Sequence, residues 1–342
     1  MGSNHIQDIL TELACKRDLS LEMAERAFHI IMSGGATPAQ MGAFLMGLRQ
    51  KGETVIEIAA GVRVLRHKAH CFHAPDDAID TCGTGGDGKH TYNISTTVAI
   101  VVAAAGVPVV KHGNRAVTSA SGSSDVLREL GLNIEATPER SEQVLHDIGL
   151  CFLMAPMYHK AMRHIAPVRQ ELGLRTIFNL LGPLANPART KRQLLGVYSR
   201  QWLRPLAEVL HYLGTNKAWI VHGHDGMDEL TTMEASTIVE LHHGSIREWE
   251  ITPEMFGIDR PDPQELTGGL AEVNARALRD VLHGKRGAYR DIVLLNSAAA
   301  LCVADKVSDM HQGMSMAANI IDSGAAHRLL ADVCVALGEP KR

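Results

Sequence analysis

The 342-residue chain reads as an α/β protein: a small all-helical domain followed by a larger α/β domain built around a mainly parallel central sheet. Three observations predict this. Helical periodicity dominates the first seventy or so residues, short β-branched apolar runs recur after them with helical patterns between, and glycine- and hydroxyl-rich loops follow those runs directly.

From Ile6 to about Lys68, apolar residues at Leu10, Leu13 and Ala14, and later Met41, Phe44, Leu45 and Leu48, fall on the i, i+3, i+4, i+7 positions of one helix face. The punctuation agrees. Ser20 is placed as an N-cap, Ser33-Gly34-Gly35 ends a helix, Thr37-Pro38 starts the next, and Lys51-Gly52-Glu53-Thr54 is a stop followed by a start. Ala78 to Cys82 and Val107 to Lys111 suit buried parallel strands, with an alanine- and valine-rich buried helix, Thr96 to Ala105, between them. Further strands are expected at Cys151–Leu153, Ala218–His222 and Ser236–Leu241. Arg163 to Ala185 reads as a helical stretch that gives way to the turn-rich Leu181-Gly-Pro-Leu-Ala-Asn-Pro.

Composition excludes several classes. At 45% hydrophobic and 21% charged residues the chain is neither disordered nor membrane-spanning, its longest apolar stretch, Val98–Val110, being too short for a bilayer. The beginning of the sequence shows no secretion or transit signal, and six dispersed cysteines without a C-x-x-C pair argue for a reducing, cytoplasmic setting. A net charge of −4 gives no overall attraction to nucleic acid or anionic membrane, so any anion site is local.

The sharpest local feature is Asp80-Thr-Cys-Gly83-Thr84-Gly85-Gly86-Asp87-Gly88-Lys89, a glycine-rich loop after a predicted strand. It fits neither nucleotide fingerprint fully: the acidic residue that a dinucleotide site needs is missing, and His90 stands where a triphosphate loop has a hydroxyl. The shared physics remains, since glycines let backbone N–H groups approach an anion and a helix start adds favourable partial charge. From Gly88 to Ser124 there is no Asp or Glu. The same span holds Lys89, His90, Lys111, His112 and Arg115 among many hydroxyls. Asn93-Ile94-Ser95-Thr96 opens the apolar helix, Lys111-His112-Gly113-Asn114-Arg115 follows the second strand, and Thr118 to Asp125, with Ser119 and Ser123, precedes another helix. Three such loops within fifty residues outweigh a reading as mere turns and caps. Asp228-Glu229, after the strand ending near Val221, would suit Mg²⁺ beside a polyphosphate, although an acidic pair is by default surface charge. Arg169 could clamp a carboxylate, against the alternatives of an ion pair with Glu171 or a helix-end role. His67, His70, Cys71 and His73 match no metal-site spacing and read as linker residues.

The strings Gly-Thr-Gly-Gly-Asp at 83–87, Asn-Ile-Ser-Thr at 93–96, Lys-His-Gly-Asn-Arg at 111–115, Ala-Pro-Val-Arg at 166–169 and Met-Asp-Glu at 227–229 resemble the anthranilate phosphoribosyltransferases of tryptophan biosynthesis. The resemblance extends through Ile177-Phe-Asn-Leu-Leu-Gly-Pro and Asp291-Ile-Val-Leu-Leu-Asn, over nearly the whole chain. It implies a nucleoside-phosphorylase-like fold, with a helical domain at 1–72 joined by helices around 165–190, an α/β domain at 73–342, and a homodimer. It also implies an activity: transfer of the phosphoribosyl group of 5-phosphoribosyl 1-pyrophosphate to the amino group of anthranilate, with Mg²⁺, and with neither nucleic acid nor membrane as partner. By the same resemblance Gly83, Gly86, Asp87, Thr91, Asn93, Ser95 and Thr96 hold the pyrophosphate side, Lys111, Arg115, Ser119 and Ser123 surround the phosphoribosyl group, and Thr84, Ile94 and Gly113 are further substrate-binding residues. His112, Asn114 and Arg169 face anthranilate, Ser95, Asp228 and Glu229 hold the metal, and no residue serves as a covalent nucleophile. The rivals are a pyrimidine nucleoside phosphorylase and a non-catalytic nucleic-acid-binding relative. The acidic pair and Arg169 speak against the first and the acidic net charge against the second.

Overall fold

The computed structural model describes residues 6–113 and 122–338; Asn114, Arg115 and Ser119 lie outside them. There are four N-terminal helices, α1 (Ile6–Ala14), α2 (Leu21–Met32), α3 (Pro38–Lys51) and α4 (Val55–Lys68), and the last three begin where the capping residues predict. Ser20 Oγ accepts from Met23 N, and Thr37 and Thr54 each form a capping box with Gln40 and Glu57. The chain then alternates β1 (Ile79–Gly83), α5 (Ile94–Ala104), β2 (Val109–Gly113), α6 (Ser123–Glu129), α7 (Pro138–Ile148) and β3 (Leu150–Met154). Next come α8 (Ala155–Tyr158), α9 (Ala166–Leu172), α10 (Ile177–Leu184), β4 (Arg192–Gly196), α11 (Leu203–Tyr212) and the strands β5 (Lys217–Gly223), β6 (Ser236–His242) and β7 (Ser245–Ile251). Four helices close the chain: α12 (Ala271–Leu282), α13 (Ala288–Val303), α14 (Met310–Asp322) and α15 (Ala325–Leu337).

The sheet order is β3-β2-β1-β4-β5-β6-β7, parallel through the first five positions and antiparallel at β6 and β7. From β1 the chain builds outward to β2 and β3, then returns to the other side of β1 for β4. That reversal opens a crevice at the C-terminal ends of β1 and β4, the place where open α/β sheets take ligands. Successive strand residues point to opposite faces, so Leu194 joins the core under α5 and α13, while Leu195 joins the one under α11 and the N-terminal helices. The helices α9 and α10 pack against α3 and α4.

Two strands escape the sequence reading. In β4, Arg-Gln-Leu-Leu-Gly holds only two apolar residues, and β7 lies at the sheet edge with a largely exposed Ser-Ile-Arg-Glu-Trp-Glu-Ile, so neither shows a buried-strand run. The expected turn at Leu181-Gly-Pro-Leu is instead helical. Pro183 sits inside α10, where the lost N–H bond is tolerated because this short apolar helix is clamped by burial of Leu180, Leu181 and Leu184. Cys71 is exposed, as suits a linker residue, and Cys15 is exposed as well. His73 pairs with Glu142, and among the described residues no metal-binding cluster forms around it.

Candidate active site

A cleft of about 640 Å³ opens at the crevice between β1 and β4 and is walled by α9 and α10. Every described residue assigned by the resemblance lines it: the loop residues Gly83, Thr84, Gly86 and Asp87, then Thr91, Asn93, Ile94, Ser95 and Thr96 at the start of α5. Lys111, His112 and Gly113 from β2, Ser123 from α6, Arg169 from α9, and Asp228 with Glu229 complete the set.

The floor is a docking of two loops. Asp228 Oδ2 accepts from Gly85 N at 2.7 Å, and the Asp228 backbone lies so close over β1 and β4 that a Cβ on Gly83 would strike its carboxylate and one on Gly196 its carbonyl. Glycine is required at both strand ends because the approach, not a turn, leaves no room. Thr84 N donates to Gly196 O at 3.0 Å and Thr84 Oγ1 accepts from Tyr198 N at 3.1 Å, tying the glycine loop to β4. From behind, Asn296 of α13, fully buried, accepts from Leu230 N (3.0 Å) and donates to Leu230 O (2.8 Å) and Ile292 O (2.9 Å). With Met227 and Leu230 fully buried as anchors, Asp228 and Glu229 are held at the cleft floor. They are therefore not ordinary surface charge. Burial, then the Asp87 carboxylate, pushes Asp228 up to about 7; burial, then Asp228, pushes Glu229 up to about 8 despite Lys111.

The end of β2 supplies the opposite charge. Lys111 is 4% exposed, and its Nζ donates to Thr81 O and to Ser95 Oγ (3.1 Å). An ammonium has three N–H groups, so one remains for a ligand, and Ser95, acting as acceptor there, keeps its own proton to donate. Behind Lys111, Asp80 is fully buried, accepting from His112 N (3.3 Å) and Asn186 Nδ2 (2.8 Å). Burial lifts its carboxyl to about 6, opposed by Lys111 and these donors. His112 contributes Nδ1 to Gly182 O at 3.2 Å and stacks edge-on to His159 at 5.2 Å between centroids. Burial, reinforced by His159, drives His112 down to about 3, and burial drives His159 to about 4, so both rings are neutral.

At the start of α5, Asn93 occupies the N-cap but its side chain caps nothing, contrary to its residue type; instead its Oδ1 accepts from Asn274 Nδ2 at 3.1 Å. The first turn of α5 thus lacks its N-cap side chain; Ile94 N donates to Tyr92 O at 2.9 Å, the Ser95 N–H favours the charged form of Glu229, and the positive end of the helix faces the cleft, where it favours anions. On the far wall, Arg169 lies in the last turn of α9 with its guanidinium 5.2 Å from the Phe178 ring centroid. No carboxylate, Glu171 included, pairs with it among the described residues, and burial lowers its affinity for its proton. A desolvated guanidinium facing a cleft is suited to a planar carboxylate.

Sequence reasoning missed His159, Lys160, Arg163, Phe178 and Asn179, which line the same cleft, and Arg175, which donates to Gly86 O with its guanidinium 4.3 Å above the Tyr198 ring. Only Phe178 and Asn179 lay in a quoted motif; the others carried no local signal.

For a divalent cation the donor set is all oxygen: Ser95, Asp228 and Glu229. No closed cage of three ligands exists among the described residues. Mg²⁺ keeps waters and binds through one or two carboxylates plus substrate phosphates, so an open pair of carboxylates fits it.

The profile of the glycosyl transferase family, a/b domain, matches residues 75–327, and that of the family's helical bundle domain matches 7–69. An anthranilate phosphoribosyltransferase of Parvibaculum lavamentivorans is 54% identical over 96% of both chains, and one of Azospirillum brasilense 56% identical over 94% of this chain and 90% of its own. The chain belongs to the anthranilate phosphoribosyltransferase family. The anthranilate phosphoribosyltransferase of Thermus thermophilus superposes with a TM-score of 0.91 at 40% identity, covering 96% of this chain and 99% of its own. The Saccharomyces cerevisiae enzyme in complex with PRPP and Mg does so with 0.89 at 28% identity, covering 97% of each. Mg²⁺ binding is thus a property found among anthranilate phosphoribosyltransferases. Among the described residues of this member no helix is long and apolar enough to cross a membrane.

Proposed function

We propose that the cleft transfers the phosphoribosyl group of 5-phosphoribosyl 1-pyrophosphate to the amino group of anthranilate, releasing pyrophosphate, as a step of tryptophan biosynthesis. The observation that carries this reading is one cleft with two chemically distinct ends. A glycine loop, a helix start and a buried lysine meet a carboxylate pair on the floor, and an arginine over an aromatic ring, without a carboxylate partner among the described residues, stands on the wall.

The pyrophosphate side is assigned to Gly83, Thr84, Gly86, Asp87, Thr91, Asn93, Ile94, Ser95 and Thr96, with Lys111, Gly113 and Ser123 beside the phosphoribosyl group. Arg115 and Ser119, outside the described residues, join them by family resemblance, and Asn114, also outside, joins Arg169 at anthranilate by the same resemblance. Ser95, Asp228 and Glu229 would hold Mg²⁺, which when bound supplies Lewis-acid charge to the leaving pyrophosphate. Arg169 orients anthranilate through its carboxylate, and neutral His112 lines the pocket without adding a competing charge. Because the aromatic amine needs no strong base, holding it in line with the ribose C1 and stabilising charge on the leaving group supply the acceleration, with no covalent nucleophile. The reading carries with it a helical unit of residues 1–72 joined by 165–190, an α/β unit of 73–342, a homodimer and a cytoplasmic setting.

The test is fluorescence loss of anthranilate, which should require both phosphoribosyl pyrophosphate and a divalent cation. Full activity after exhaustive chelation removes the metal role, and robust thymidine phosphorolysis without anthranilate consumption moves the protein to the phosphorylase class. The double variant Asp228→Asn/Glu229→Gln should lower turnover at least ~100-fold and shift the Mg²⁺ dependence to higher concentration, because metal stabilisation of the leaving group amounts to several kcal/mol.

A further inference from the structure

The geometry points to Asn274 as a positioning residue that sets which end of the Asn93 amide faces the cleft. The inference rests on the proposed function, since it concerns how the anion end of that site is prepared.

One donor in this arrangement is unambiguous. Gly269 N is a backbone N–H and donates to Asn274 Oδ1 at 2.7 Å, so the oxygen of the Asn274 amide is the atom turned toward Gly269. Its NH₂ is then the atom turned toward Asn93, 3.1 Å away, and an NH₂ group can only donate there. The Asn93 atom that receives it is therefore Oδ1, which leaves Asn93 Nδ2 as the free end. Among the described residues no acceptor takes that NH₂, and Asn93 lines the cleft. One backbone amide of the segment between residues 266 and 274 thus fixes, through two side chains, that Asn93 presents donors to an anion instead of a repelling oxygen.

The surroundings make the relay rigid. Asn274 is 2% exposed, in the first turn of α12. Its segment is stitched to the glycine-rich stretch by Gly268 N to His90 O (2.8 Å), Tyr92 N to Leu266 O (3.1 Å) and a bridge between Thr91 and Thr267. A Cβ on Gly268 would come within 2.7 Å of Thr91 O. The Asn93 carbonyl is held separately, by Thr97 N and Oγ1 (both 3.1 Å) and by the hydroxyl of Tyr289 (3.3 Å), whose ring stacks on Tyr92. With its backbone pinned, the one freedom left to Asn93 is the flip of its amide, and Asn274 removes it.

Asn274→Asp keeps an oxygen for Gly269 N and replaces the NH₂ by a second oxygen of nearly the same size. Asn93 must then donate to residue 274 and turn its own oxygen to the cleft. Steady-state kinetics and calorimetric titration with Mg²⁺–phosphoribosyl pyrophosphate should show a loss of affinity for that substrate of ~10- to 100-fold, the scale of a charge-assisted hydrogen bond. The KM for anthranilate at saturating co-substrate should be unchanged and the melting temperature nearly so. In an Asn93→Ala background the same substitution should add far less, because no amide remains to flip and only the new charge acts, and Asn274→Ala there should add nothing. If the Asp variant does not fold, Asn274→Ala completes the cycle, releasing the flip without adding charge. A penalty that persists undiminished in the Asn93→Ala background, or one that falls equally on both substrates, overturns the proposal. Absence of the transferase reaction in the wild-type protein instead overturns the function on which it rests.

Discussion

Arg169 is the residue whose isolation is most informative. A half-buried guanidinium that no carboxylate pairs with among the described residues is best satisfied by a ligand that supplies one. Arg169→Ala should therefore lower the specificity constant for anthranilate by roughly 30- to 150-fold, equivalent to ~2–3 kcal/mol, while the constant for phosphoribosyl pyrophosphate changes little. Equal losses for both substrates in a folded variant would make the residue structural. The paired rings of His112 and His159 predict a pH effect. Both hold their pKa below the value of an unfolded histidine, about 6.5. The unfolded chain therefore binds more protons between that value and about 3 to 4, and the stability these rings contribute is present above pH 6.5 and lost as the pH falls. Asp80, raised by burial, acts in the opposite sense, so the informative quantity is a difference: melting of His159→Phe should decline less than that of wild type between pH 6.5 and 4.5. Parallel decline of the two would show that these rings do not carry the effect.

At the scale of elements, the site depends on how closely a loop lies on strand ends. Gly196→Ala places a methyl group on the Asp228 carbonyl, where no flexible side chain can yield, and should cost ~1–3 kcal/mol of stability together with most of the activity. Gly42→Ala in α3 is the matched control, with open space around the added carbon, and should be neutral or stabilising by up to about 1 kcal/mol. Comparable losses at both positions, measured by denaturant titration, would refute the docking account. Asn296 carries the other half of the loop's support. Asn296→Leu leaves the N–H and C=O of Leu230 buried without partners and should destabilise by at least ~2 kcal/mol.

At the scale of the molecule, the cleft is assembled from the sheet's loops on one side and from α9 and α10 on the other. A ligand that fills it binds the folded chain only, so phosphoribosyl pyrophosphate with Mg²⁺ at ~100 times its dissociation constant should stabilise by ~2.7 kcal/mol and raise the melting temperature by several degrees. Chelation should abolish that rise and leave the ligand-free melting temperature unaltered, because no metal-binding cluster holds the described residues together. A ligand-free protein that melts earlier after chelation would reveal a structural metal instead. What the sequence by itself determined is whatever local chemistry suffices to specify. Helix starts at Ser20 and Thr37, the buried strands β1, β2 and β5, and the glycine- and hydroxyl-rich loops of the cleft all follow from side-chain type and spacing within a few residues. Only the tertiary structure decided the rest. β4 and β7 are strands because neighbours pair with them, Gly196 must be glycine because a loop 32 residues on crosses it, and Asn93 is turned by an asparagine 181 residues away. In each case the deciding force is a contact between residues distant along the chain, and a short-range pattern holds no record of such a contact until the chain has folded.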